Sequence, residues 1–215
     1  MSTLEKIKQA KIIPVIRKTN EDNILPICEA LVRGGIQAVE ITAETPNASN
    51  LIKLVNQKLG DRLILGAGTV LDPETARQMI SAGAEFIVSP TLKVETIQLS
   101  ARYGIPCIPG AFTPTEMVTA YEAGASMVKV FPANTLGPDY IKNIHGPLPH
   151  ISLMATGGIT FNNMMDYFNH GAEVVGIGSQ LVNVKELKTD TDFHHLEQRA
   201  KDFTKKISLI PASIG

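Results

Sequence analysis

Two short apolar runs each carry one ionisable residue at their centre. Met127-Val128-Lys129-Val130-Phe131 sets a lysine between two valines, and Ala38-Val39-Glu40-Ile41-Thr42 sets a glutamate between valine and isoleucine. Successive side chains of a β-strand point to opposite faces. Where Val128 and Val130 face one side, Lys129 and Phe131 face the other, and Glu40 and Thr42 likewise oppose Val39 and Ile41. Removal from water disfavours the charged form of a lysine, and the neutral amine is the form that attacks a carbonyl. A carboxylate in the same setting needs a cation, hydrogen bonds or a raised pKa, and Lys129 is its natural partner. The pair fits imine chemistry on a ketone, with Lys129 as the Schiff-base nucleophile. Glu40 is then the general acid/base and moves protons within hydrogen-bond reach. A structural ion pair, or a lysine that reaches out to water, is the other reading of strand placement alone, and it stays open here.

Three further groups bear on binding. Thr156-Gly157-Gly158-Ile159 and Gly176-Ile177-Gly178-Ser179 end two later apolar runs. Small residues there let backbone N–H groups hold a phosphate, and Gly157, Gly158, Gly178 and Ser179 are the candidates. Glycines that merely close a fold neatly give the same pattern. In Gly66-Ala67-Gly68-Thr69-Val70 the glycines permit close approach to the backbone and Thr69 offers a hydroxyl, although a tight turn explains the run equally well. Arg17 ends the first apolar run, either as a clamp for a carboxylate or as half of a surface pair. His145, His150, His170, His194 and His195 show no metal-ligand spacing, and Cys28 and Cys107 show none either, so no metal is expected.

The elements that must position these residues recur regularly. A short apolar run, a turn, an amphipathic segment and a glycine repeat along the chain, with Gly35, Gly60, Gly83, Gly104, Gly124, Gly146 and Gly171 as helix-ending glycines. The strand candidates are Ile12–Arg17, Ala38–Thr42, Leu63–Ala67, Phe86–Ser89, Cys107–Ala111, Met127–Phe131, Leu153–Thr156 and Val174–Ile177. Asp22–Arg33, Ala48–Leu59, Pro73–Ala82 and Val94–Arg102 are helical, and Asp72-Pro73, Thr113-Pro114 and Thr160 mark helix starts. Eight strand–helix units predict a parallel (β/α)8 TIM barrel, one domain over residues 1–215, with its active face at the C-terminal strand ends. An open doubly wound sheet is the weaker alternative, because Gly66-Ala67-Gly68 lacks the third glycine of a dinucleotide fingerprint.

Composition narrows the function. The 215 residues are 44% hydrophobic and 19% charged, with 20 basic residues against 21 acidic, a net charge of -1. A broad basic face for nucleic acid is excluded. No apolar run nears the roughly 18 residues of a membrane span, so no membrane partner is expected. The N-terminus does not read as a signal peptide, and two cysteines without a pattern fit a reducing cytoplasm.

In this order and spacing the motifs are specific. Glu40-Ile41-Thr42, Gly66-Ala67-Gly68-Thr69-Val70, Ser89-Pro90, Ile108-Pro109-Gly110, Val128-Lys129-Val130-Phe131-Pro132-Ala133 and Thr156-Gly157-Gly158-Ile159 together resemble the 2-keto-3-deoxy-6-phosphogluconate/4-hydroxy-2-oxoglutarate aldolases, a class I family, over nearly the whole chain. The resemblance implies a metal-free, cofactor-free (β/α)8 barrel, commonly a homotrimer, acting on a small keto acid or phosphosugar acid. It casts Lys129 as the Schiff-base lysine and Glu40 as acid/base, with Thr69, Pro90 and Phe131 lining a pyruvate pocket. Gly157, Gly158, Gly178 and Ser179 would receive the distal phosphate. The reaction implied is reversible cleavage to pyruvate and glyceraldehyde 3-phosphate, or to pyruvate and glyoxylate. A phosphosugar isomerase or epimerase on the same barrel, and a barrel that only binds ligand, are the competing readings. One position departs: many members read Glu-x-Thr-x-Arg, whereas here Glu44 follows Ala43. The arginine contact does not carry over, and Arg17 becomes the anion clamp.

Overall fold

Every strand of this protein carries side chains that must be buried on both faces, which only a parallel sheet wrapped by helices satisfies. The computed structural model describes residues 1–210. Its strands are β1 (Ile12–Ile16), β2 (Ala38–Thr42), β3 (Ile64–Gly68), β4 (Phe86–Val88), β5 (Cys107–Ile108), β6 (Gly110–Ala111), β7 (Val128–Val130), β8 (Leu153–Thr156) and β9 (Val174–Ile177). All pairings are parallel, in the order β5-β4-β3-β2-β1-β9-β8-β7-β6. β5 and β6 are one strand interrupted at Pro109, which has no N–H to give the ladder. Its carbonyl still accepts from the Lys129 N–H at 2.8 Å. The sheet thus closes as an eight-stranded barrel, as expected from the sequence.

The helices are α1 (Thr3–Ala10), α2 (Glu21–Arg33), α3 (Ala48–Leu59), α4 (Pro73–Ser81), α5 (Val94–Arg102), α6 (Pro114–Glu122), α7 (Ala133–Leu136), α8 (Pro138–His145), α9 (Met164–Asn169) and α10 (Asp190–Ile207). Asp72 and Thr113 cap α4 and α6 as anticipated, each accepting from a backbone N–H three residues on. Thr160 does not cap α9. It exchanges hydrogen bonds with Asn163 across a turn, and α9 starts after Asn163. Five of the seven helix-ending glycines adopt positive φ, whereas Gly60 and Gly146 stay right-handed at φ -56 and -54, so left-handed backbone is not their role.

Two buried layers result. Val39, Ile41, Val128, Val130, Leu153 and Ala155 pack outward against the helices. Ile13, Ala38, Phe86, Ile108, Met127, Met154 and Val174 fill the barrel interior, and Ile7 and Ala10 of α1 close its N-terminal end. Strand alternation therefore turns Glu40, Thr42, Lys129 and Thr156 inward, toward the C-terminal end of the barrel. No helix among the described residues is long and apolar enough to cross a membrane.

Candidate active site

Lys129 stands on the inner face of β7, in register with Gly110 of β6 and Met154 of β8. It is 2% exposed, which for a lysine is near-complete removal from water. Gly110 is a glycine for a spatial reason: a Cβ there would lie 2.3 Å from the carbonyl of Pro90. The Lys129 Nζ lies 4.9 Å from the centre of the Phe131 ring. Burial holds its pKa below the ordinary lysine value. The negative charge of Glu40 works against that, Arg17 adds to it, and Glu44 opposes it more weakly.

Glu40 faces the same space from β2, in register with Val15 and Gly66 and 1% exposed. Neither carboxylate oxygen has a hydrogen-bond partner. Buried polar groups are nearly always partnered, so two orphan oxygens on one side chain mark a position kept for something other than stability. Burial pushes the Glu40 pKa up. The charges of Lys129 and Arg17 pull it down, and Glu44 pushes it up again. Gly68 leaves room for the carboxyl, since a Cβ there would stand 2.6 Å from Glu40 Oε1. The shifts of the two groups agree in sense: burial disfavours the charged form of each.

Above this pair a cavity of about 380 Å³ opens among the loops that follow β1, β7, β8 and β9. Arg17, Phe131, Gly157, Gly158, Gly178 and Ser179 line it, as do Thr156 and Gln180. Gly157 and Gly158 have φ of +97° and +69°, and a Cβ on Gly158 would come within 2.4 Å of Asn134 Cβ. Their carbonyls accept from the Asn134 N–H and from Asn163 Nδ2. The N–H groups of Gly158, Gly178 and Ser179 meet no acceptor among the described residues. A Cβ at Gly178 would meet nothing within 4 Å, so this loop fronts open space. Unpaired amides around a small-residue cup suit an oxyanion or phosphate.

Lys129 and Glu40 are not in that wall; each lies two residues before Phe131 or Thr42 along the chain, on the same inward face. Thr69 and Pro90 are also outside it, because they follow β3 and β4, across the barrel from β8 and β9. Thr69 adopts a left-handed backbone at φ 54, which is strained for a β-branched residue. Arg17 answers both earlier readings. It lines the cavity, and it pairs with Glu44 across the ends of β1 and β2. Thr156 was not singled out from sequence. It lines the cavity and its buried hydroxyl has no partner. Its inward parity with Met154 was the available signal; its lack of a partner was not. No group of three His, Cys, Asp or Glu side chains that could hold a metal ion comes together among the described residues.

Known proteins resemble this chain in sequence and fold. The sequence is 36% identical over 171 residues to the 2-dehydro-3-deoxy-6-phosphogalactonate aldolase of Escherichia coli strain K12, covering 79% of this chain and 83% of that protein. It is 36% identical over 188 residues to the 2-dehydro-3-deoxy-phosphogluconate aldolase of Haemophilus influenzae, covering 87% and 88%. Among solved structures, the KDPG aldolase of Legionella pneumophila, with pyruvate captured at low pH as a covalent carbinolamine intermediate, superposes with a TM-score of 0.86. That match has 30% identity and covers 93% of this chain and 97% of the other. Residues 4–198, a span that takes in every strand of the barrel and the whole cavity wall, match the KDPG and KHG aldolases, and the chain belongs to that family.

Proposed function

We propose that this class I aldolase cleaves 2-keto-3-deoxy-6-phosphogluconate to pyruvate and glyceraldehyde 3-phosphate, with Lys129 as the Schiff-base nucleophile and Glu40 as general acid/base. Cleavage of 4-hydroxy-2-oxoglutarate to pyruvate and glyoxylate is the same chemistry on a shorter acid. The reading rests on one observation: a buried amine shares the barrel interior with a buried carboxyl group that has no hydrogen-bond partner. A pair kept for structure is a poor account of it, because such pairs contribute little over apolar replacements and their oxygens are normally bonded.

The steps begin from the form that burial favours, a neutral amine and a protonated carboxyl. The Lys129 amine adds to the keto carbon. Its surplus proton moves to the new alkoxide, and water leaves with a proton from Glu40, giving an iminium. The Glu40 carboxylate then takes the proton of the substrate hydroxyl. The adjacent carbon–carbon bond breaks, an aldehyde departs, and the electron pair passes into the iminium to give an enamine. Return of the proton from Glu40 to the enamine carbon, followed by hydrolysis, frees pyruvate and the amine. Phe131, Thr69 and Pro90 border the pyruvate end. The cup of Gly157, Gly158, Gly178 and Ser179 takes the phosphate, with Arg17 as the nearby cation. The Thr156 hydroxyl is free to bond a substrate oxygen.

The same reading carries one barrel domain, action in the cytoplasm and assembly as a homotrimer. The two cysteines are free and buried, as a reducing compartment allows. A structural relative, a protein cage designed by fusing symmetric oligomeric domains, aligns at a TM-score of 0.86, which supports self-association. A lactate dehydrogenase-coupled assay for pyruvate release, run in EDTA, tests the activity. Turnover indifferent to the chelator is expected, and no pyruvate from any keto-deoxy acid would overturn it.

A further inference from the structure

The mouth of the cavity holds a charge arrangement that bond cleavage leaves unexplained. Among the described residues Arg17 is the one charged side chain in the cavity wall, which it shares with the Gly157-Gly158 and Gly178-Ser179 loops. Its guanidinium is already engaged by Glu44. The side chains are 46% and 36% exposed, so the contact can open to an incoming ligand. The backbones beneath it are fixed. Thr42 Oγ1 donates to the Ile16 carbonyl at 3.3 Å and meets Thr45 Oγ1 at 3.1 Å, and the Lys18 N–H donates to Thr45 Oγ1 at 3.0 Å. These bonds stitch the end of β1 to the end of β2 and present Arg17 and Glu44 to each other at the rim.

We propose that Glu44 is a specificity-determining residue, which occupies the guanidinium of Arg17 and so weakens the preference of the site for a phosphorylated keto acid over its unphosphorylated counterpart. The inference rests on the aldolase reading above. A phosphate that settles in the glycine cup meets a wall whose cation is already neutralised. To gain Arg17 it must displace a carboxylate that stays close by, and like charges a few ångström apart repel. A neutral hydroxylated tail meets no such cost. Glu44 therefore acts as a positioning residue for Arg17 and as a filter on the charge of the distal group.

The test compares kcat/KM for 2-keto-3-deoxy-6-phosphogluconate and 2-keto-3-deoxygluconate in the wild type, Glu44→Gln, Arg17→Ala and the double variant. Glu44→Gln should raise the phosphorylated-to-unphosphorylated ratio about tenfold, through KM rather than kcat. The rise should shrink in high salt, because the charges are exposed. It should vanish where Arg17 is already alanine. A ratio that stays within about twofold, falls, or rises equally without Arg17 overturns the proposal, as does a change confined to kcat. Borohydride trapping with pyruvate separates the two readings: a wild type that traps none fails as an aldolase whatever Glu44 does. A wild type that traps pyruvate but shows no Glu44 effect fails only here.

Discussion

Substituting Gly68 by alanine adds a single methyl group at the one place where it must collide with the acid/base. The new Cβ would stand 2.6 Å from Glu40 Oε1 and 2.8 Å from Cδ, where ordinary contact begins near 3.4 Å. The carboxyl must give way by the difference, 3.4 minus 2.6, about 0.8 Å. No hydrogen bond holds Glu40 in place, and at 1% exposure it has no solvent to move into, so its displacement is within the barrel. A misplacement near 1 Å of a group that must transfer protons costs on the order of a hundredfold in rate. Overpacking costs about 1–3 kcal/mol. For a chain of this size each kcal/mol lowers Tm by roughly 2–4 °C, so a folded variant with a modestly lower Tm is expected. The assay is kcat by pyruvate release, read beside near-UV circular dichroism and borohydride trapping. Gly68→Ala should fold, trap pyruvate on its untouched lysine, and turn over about a hundredfold more slowly. Gly178→Ala is the matched control: its Cβ meets nothing within 4 Å, so its effect should fall on KM for the phosphorylated substrate. Wild-type kcat in a folded Gly68→Ala protein would refute the placement of Glu40 in the reaction.

Four more expectations follow from the buried groups. Lys129→Met should abolish turnover and trapping with little change in Tm, because burial disfavours the lysine's charge and a thioether of similar length fills its volume; a large fall in Tm by calorimetry would count against this. The pH profile of kcat/KM should be bell-shaped. The Lys129–Glu40 pair should bound activity as a unit: burial lowers the pKa of the lysine and raises that of the carboxyl, so gain of a proton by the pair ends activity on the acid side and loss of one ends it on the alkaline side. Glu40→Gln should lower kcat by roughly 10²–10⁴-fold and leave a single limb, that of the lysine; a second limb that persists would assign it to another group. Cys28 and Cys107, whose thiols burial pushes up to about 12, should react with a thiol-specific chromogenic disulfide only as the protein unfolds.

How much was legible depended on whether the deciding contact was local. The inward aim of Lys129 and Glu40 follows from strand alternation alone, and the outward packing of Val39, Ile41, Val128 and Val130 matches it. Gly157, Gly158, Gly178 and Ser179 were legible as strand-end positions on the active face, and they line the cavity, although glycines that merely close a fold give the same pattern. The break at Pro109 was less so: the run Cys107–Ala111 reads as one strand, and only the ladder reveals that the missing N–H splits it. Helix α1 escaped notice because its charges mask the narrow stripe of Leu4, Ile7 and Ala10 that closes the barrel. Glu44 was visible as a residue but not as a partner. Whether it points toward the substrate or to Arg17 depends on the stagger of two strand ends twenty-odd residues apart, which periodicity does not encode. Thr156 was hidden for a similar reason, since an unpartnered hydroxyl can be recognised only once all its neighbours are known.

The central claim is that the Lys129 nitrogen is an uncharged nucleophile held out of water in the barrel. Incubation with pyruvate and borohydride, followed by digestion and mass spectrometry, tests it most directly. The account predicts one reduced pyruvate adduct per chain, on the peptide carrying Lys129, with loss of activity in step with labelling. An unlabelled Lys129 in an active enzyme, or an adduct on an exposed lysine instead, would contradict it.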